Sequence, residues 1–165
     1  MAMTGEDKIR GAYFEMAVFE ALASGNTLTY IVHGGQDQTT EKPLKRLETQ
    51  FISKKSAEEV DIEENTCYHC PEMKGVDIIL KVTHKVYFIQ CSVAQFDKLL
   101  SKSCFWESAK SGWVPILITP DPELDVKITA KKTSQLAKQY NSGKFHVAKV
   151  LSLLTKDDVS MFGNI

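Results

Sequence analysis

The sequence predicts an α/β fold, a mixed central sheet flanked by helices, and three observations carry that prediction. Segments with apolar residues at helical spacing alternate with short β-branched and aromatic runs along most of the chain. Two of those runs, VDIILKV (76–82) and VYFIQCSV (86–93), stand so close together that they read as a hairpin. A hairpin leading through crossover helices into further strands, such as VPILIT (114–119), implies a mixed sheet with helices on both faces.

In chain order, Asp7 to Leu22 carries Ile9, Tyr13, Phe14, Ala17, Val18, Ala21 and Leu22 at helical spacing, with Gly25-Asn26 as a stop. TLTYIV (27–32) reads as a strand followed by a Gly-Gly turn. Leu44, Leu47, Phe51 and Ile52, interleaved with basic residues, predict a helix over 42–57. The acidic stretch 58–75 holds no period and reads as a loop. In the hairpin that follows, Thr83-His84-Lys85 forms the turn. Phe96 to Ser111 has helical spacing and Pro120 ends the strand 114–119. Thr133 to Tyr140 reads as a short helix, Phe145 to Leu151 as a strand, and the residues from Thr155 as a turn or helix.

A chain of 165 residues is the size of one domain, so residues 1–165 are read as a single core. Hydrophobic content of 43 % with 25 % charged residues fits a globular chain and argues against disorder, collagen or a membrane class. The opening MAMTGEDKIRGAYFE lacks the apolar core of a signal peptide, and no later run is long enough to span a bilayer. A soluble, unprocessed domain with no membrane association is expected, a signal on a longer parent chain being left open. The net charge of −1 denies a broadly basic field, so nucleic-acid affinity must come from a local patch. Four unevenly placed cysteines (67, 70, 91, 104) do not make a secreted disulfide framework and favour a reducing, intracellular compartment.

Candidate chemistry centres on Asp77, a carboxylate at the start of an otherwise apolar strand, where it must be paired, hydrogen-bonded or metal-bound. Gln90 interrupts the facing strand in the same way. Alternation puts Gln90 and Ser92 on one face and Cys91 on the other, so paired strands would aim Asp77 and Gln90 at one point. Two oxygen donors there form half a shell for Mg²⁺; the plain alternative is a carboxylate and an amide hydrogen-bonded at the sheet rim. Glu15 is a third acid on the first helix, with an exposed helix face as its alternative.

Here the residues resemble a family. RGAYFE (10–15) resembles the RG-x-x-x-E opening of archaeal Holliday-junction resolvases. GVDIILKVTHKVYFIQCSV (75–93) resembles the Asp strand, turn and (E/Q)-x-K strand of the PD-(D/E)XK superfamily. The likeness spans roughly residues 8 to 120 and implies a restriction-endonuclease-like fold. It implies Glu15, Asp77 and Gln90 as ligands of Mg²⁺ or Mn²⁺, with Asp77 and Gln90 catalytic. Ser92 stands where the family has its catalytic Lys, a cation whose loss costs on the order of 10² to 10³ in rate; Lys81 or Lys98 would supply the charge by migration. FIQCSV is also similar to the corresponding strand of Crinkler effectors and retrotransposon-hot-spot proteins, which implies a host-directed effector domain acting in a nucleus.

Two functions follow as expectations: a metal-dependent DNA endonuclease, or an inactive module of the same fold that binds DNA or a protein partner. A structural domain that touches no nucleic acid is the third reading, and a homodimer is left open. The basic run around Lys42, Lys45 and Arg46, with Lys127, Lys131, Lys132 and Lys138, is either a solvated surface or a phosphate-binding patch. Cys67-Tyr68-His69-Cys70 is only half of a zinc site, so zinc is disfavoured and the pair reads as free thiols in a loop. His33, His69, His84 and His146 join no recognisable nucleophile motif.

Overall fold

A computed structural model describes residues 5–32, 35–73, 75–94, 112–130 and 135–162. The elements are α1 (Gly5–Ala23), β1 (Thr29–Ile31), β2 (Asp37–Thr39), β3 (Glu48–Phe51), β4 (Thr66–His69), β5 (Ile78–Val82), β6 (Lys85–Cys91), β7 (Val114–Ile118), α2 (Leu124–Ala130), α3 (Gln135–Asn141), β8 (His146–Ala148) and α4 (Lys156–Phe162). Short 3₁₀ turns occupy Ala57–Glu59 and Val150–Ser152.

All eight strands join one mixed sheet in the order β2-β1-β8-β7-β6-β5-β4-β3. The pairs β1–β2, β1–β8, β4–β5 and β5–β6 are antiparallel, whereas β3–β4, β6–β7 and β7–β8 are parallel. Two apolar layers sandwich the sheet. On one face Phe14, Val18 and Leu22 of α1 and Val159 and Phe162 of α4 cover Ile78, Leu80, Tyr87, Ile89, Ile116 and Ile118. On the other, Leu124 and Ile128 of α2 and Leu136, Ala137 and Tyr140 of α3 cover Ile79, Phe88, Leu117 and Val147. The α/β class, the mixed sheet and the helices on both faces are therefore as the sequence predicts. Central strands buried on both sides explain why VDIILKV and VYFIQCSV are nearly continuous apolar runs.

The hairpin turn is tighter than expected. Lys85 already pairs with Val82, leaving only Thr83 and His84 in the loop. Their φ values of 48° and 68° are those of a type I′ turn, whose twist matches the flanking strands. Glu64 anchors the turn from outside by accepting the His84 N–H at 2.9 Å. A β-branched residue in this left-handed region is strained, so replacing Thr83-His84 by Asn-Gly is expected to raise stability by about 1 kcal/mol, read as a higher urea midpoint at unchanged slope.

The structure corrects three local expectations. Residues 42–57 are not a helix. Leu44 is 92 % and Phe51 66 % exposed, and only Leu47 of the supposed stripe is buried. Backbone pairing with β4 takes Glu48–Phe51 as an edge strand instead, and such tertiary pairing overrides a weak helical period. The acidic stretch 58–75 contains β4, a fully buried strand between β3 and β5. Cys67 and Cys70 are consequently not loop thiols: both are 0 % exposed, and burial pushes each thiol up to about 12. They pack in opposite apolar layers, so the two sulfurs are not turned towards one ion. The strand β2 and the helix α2 were not expected from the sequence. The helix expected over 96–111 lies outside the described residues, with Lys98, Cys104 and Trp106. Trp113, at its end, is half-buried and its ring lies 5.6 Å from that of Phe88.

Candidate functional site

Four elements, α1, β4, β5 and β6, meet where β5 begins and β6 ends. Asp77 immediately precedes β5, and its main chain is committed on both sides: its N–H donates to the Ile89 carbonyl at 2.9 Å and its carbonyl accepts the Cys70 N–H at 2.8 Å. Its side chain then replaces the next rung of the ladder. The Cys91 N–H donates to Asp77 Oδ2 at 2.7 Å, which sets the carboxylate at the strand ends, between the two apolar layers. A charge-assisted bond of this kind gives an acidic side chain a structural reason to occupy this place.

From that place Asp77 meets α1. Glu15, one residue beyond buried Phe14, has a side chain only 17 % exposed and hydrogen-bonds Asp77. Two carboxylates this close repel when both are charged, so each favours a proton on the other. Burial raises the Glu15 pKa above its usual 4.5, and the bond with Asp77 pulls partly the other way. On its other side Glu15 Oε2 lies 2.9 Å from His69 Nε2. His69 closes β4 and is 9 % exposed at its side chain. Its ring packs against Phe19 at 5.3 Å and edge-on against Phe51 at 5.2 Å. Burial is the main cause of its lowered pKa, with the nearby Asp77 charge opposing it. Burial works against the charged form of both groups, and their contact is a short hydrogen bond in either state. His69 Nδ1 is buried without a hydrogen-bond partner, which places the ring proton on Nε2, donating to Glu15. The same acids, after burial as the larger cause, push the thiol of Cys91 well above its usual range.

Gln90 adjoins Asp77 by register: Ile78 faces Ile89 across the hairpin, so Gln90 stands opposite Asp77. It also pairs with Leu117, a residue of the layer under α2 and α3, while its neighbours Ile89 and Cys91 lie in the layer beneath α1. Ser92, 5 % exposed, is two residues further along; its Oγ accepts the Ala94 N–H at 3.1 Å and its own N–H donates to the Ile118 carbonyl at 3.1 Å. A lysine there would bury a charge, so Ser92→Lys is expected to destabilise the domain, read as a lower urea midpoint. Lys81 is four residues along β5 from Asp77, about 13 Å at ordinary strand rise, and cannot stand beside it. Lys42, Lys45 and Arg46 are exposed before β3, whereas Lys127 pairs with Asp121 at the head of α2. Lys131 and Lys132, like Lys98, lie outside the described residues. His69 is the site residue the sequence did not single out; its signal is the alternation Cys67, His69 in a strand whose other face carries Tyr68.

Among the described residues no three His, Cys, Asp or Glu side chains are already set around a common metal position. Glu15 and Asp77 together still supply hard oxygen donors side by side, which suits a hydrated Mg²⁺ or Mn²⁺ held by two carboxylates and waters. The raised pKa of Glu15 has a consequence for stability. A carboxyl whose folded pKa is raised contributes stability that is full below the unfolded pKa of about 4.5 and is lost as pH rises through the folded value. In EDTA, the stability of Glu15→Gln relative to wild type is therefore expected to grow as pH rises from about 4.5 towards neutrality, checked by urea midpoints across that range.

No family model, curated protein or solved structure matches this chain. No helix among the described residues is long and apolar enough to cross a membrane.

Proposed function

We propose that the chain is a metal-dependent endonuclease-like domain of restriction-endonuclease architecture, acting on nucleic-acid phosphodiesters. The observation behind the proposal is the meeting of Glu15 and Asp77, acids far apart in sequence, at the mouth of a hairpin strand pair under the first helix. Element order supports it as well: a leading helix, the β5–β6 hairpin, then β7 parallel to β6. Glu15 and Asp77 would hold Mg²⁺ or Mn²⁺, which would supply a more acidic water and offset charge at the phosphate. The Cys91 N–H fixes the Asp77 carboxylate, and His69 fixes Glu15 from the opposite side. Such outer contacts orient ligands and contribute about 10- to 100-fold to metal affinity or activity.

A second reading has its own support. Ser92 stands where the resembled family has its cation and carries no positive charge, so the inactive module that binds DNA or a protein partner stands beside the enzyme. A DNA-cleavage assay with Mg²⁺ and with Mn²⁺ separates the two. Cleavage of supercoiled plasmid or of a single-stranded DNA circle by wild type, abolished by EDTA, is the expected result; both substrates intact with both ions leaves the binding module as the function.

A further inference from the structure

One to two helical turns beyond Glu15 runs a groove of about 760 Å³ between the second half of α1 and the segment leading into β3. Phe19, Ala23 and Glu20 form the helix wall, and Lys42, Lys45 and Arg46 line the other side. We propose that this groove is the track of an unpaired nucleic-acid strand, with bases stacking on Phe51 and phosphates taken by Lys42, Lys45 and Arg46. The inference rests on the nuclease-like reading and names its substrate class.

Charge complementarity selects the occupant. Three exposed cations face a single acid, Glu20, in a molecule whose total charge is −1, so this groove offers a polyanion a local surplus of positive charge. Phe51 selects the form of that polyanion. It continues the strand from Thr49 on the groove wall, on the same face of β3, and remains 66 % exposed. Its ring is fixed from behind by Phe19 at 5.5 Å and His69 at 5.2 Å, so a flat apolar surface is held open to solvent. An unpaired base can stack there, whereas a duplex offers such a face only at its ends. The groove has the capacity of a small-ligand site, which admits a thread of nucleotides and not a double helix. Direction follows from α1. Glu15, Phe19 and Ala23 succeed one another at four-residue intervals on one helix face, so the groove end lies about 12 Å from the carboxylates. At about 3.4 Å per stacked nucleotide that is roughly three to four steps, with Phe51 and His69 between.

The test measures binding in EDTA, so that it does not depend on the cation. Fluorescence anisotropy of the full chain with a labelled oligothymidylate and with a duplex of equal length is expected to give at least about tenfold tighter binding of the single strand. Phe51→Ala is expected to weaken that binding about 10- to 100-fold and Phe51→Trp to retain it. Replacing Lys42, Lys45 and Arg46 together by Ala is expected to flatten the salt dependence by about two logarithmic units per decade. Equal or tighter binding of the duplex, or single-strand binding untouched by Phe51→Ala and by the triple variant, overturns the proposal. So does binding to phosphatidylserine vesicles without binding to the oligonucleotide. Single-strand binding with no cleavage under Mn²⁺ upholds the groove and removes the catalytic reading alone; cleavage that survives Phe51→Ala with unchanged binding removes the groove alone.

Discussion

Asp77→Asn is expected to abolish metal-dependent nicking while leaving the domain folded. The amide keeps an oxygen to accept the Cys91 N–H, which the carboxylate holds at 2.7 Å, but it removes the charge that a divalent cation needs. Loss of one such electrostatic group costs on the order of 10² to 10³ in rate, and loss of a ligand from a two-carboxylate site costs at least that. Asp77→Ala is a different experiment. It leaves the Cys91 N–H without its partner at the end of a buried strand, which costs about 1–3 kcal/mol of stability. The pair of variants therefore separates chemistry from folding: Asn falls in activity at constant urea midpoint, and Ala falls in both. Wild-type cleavage by Asp77→Asn would remove Asp77 from the site.

The largest expected effect on stability belongs to the residue that seats Glu15. Phe14 is 0 % exposed, lies in the layer beneath α1 and sets its ring 5.5 Å from that of Phe162 in α4. Phe14→Ala empties a phenyl-sized volume where α1, α4 and the sheet meet, and is expected to cost about 3–5 kcal/mol. Against a typical total of about 5–15 kcal/mol, that is a large share of the fold. Phe14→Leu keeps most of the volume and should cost under about 2 kcal/mol. Chemical denaturation gives both values; an Ala variant with an unchanged midpoint would show that α1 does not depend on this contact. Because Glu15 is the next residue, a loosened α1 should also weaken the hydrogen bonds to His69 and Asp77.

Several elements were legible in the sequence because their signals are local. The apolar spacing of Phe14, Val18 and Leu22 predicts one buried face of α1, and those three side chains are the ones fully covered. The β5–β6 hairpin shows in two apolar runs that meet at a tight turn, and Glu15 and Asp77 stand out as acids in apolar company. Tertiary structure alone decided the rest. Residues 42–57 carry a helical period by accident of composition, and only the open edge of β4 makes them a strand. The strand Thr66–His69 is hidden among acids because its burial comes from neighbours on both sides, not from its own alternation. The period of two in VYFIQCSV establishes that Gln90 and Cys91 face opposite ways, but not which of them α1 covers. That choice belongs to the helices packed on each layer, and it gives Cys91 to the side of Glu15 and Gln90 to the side of α2 and α3. His69 enters the site for the same reason: sequence spacing fixes which residues share a face, and only the register between strands and the seat of the helix above them fixes which faces meet.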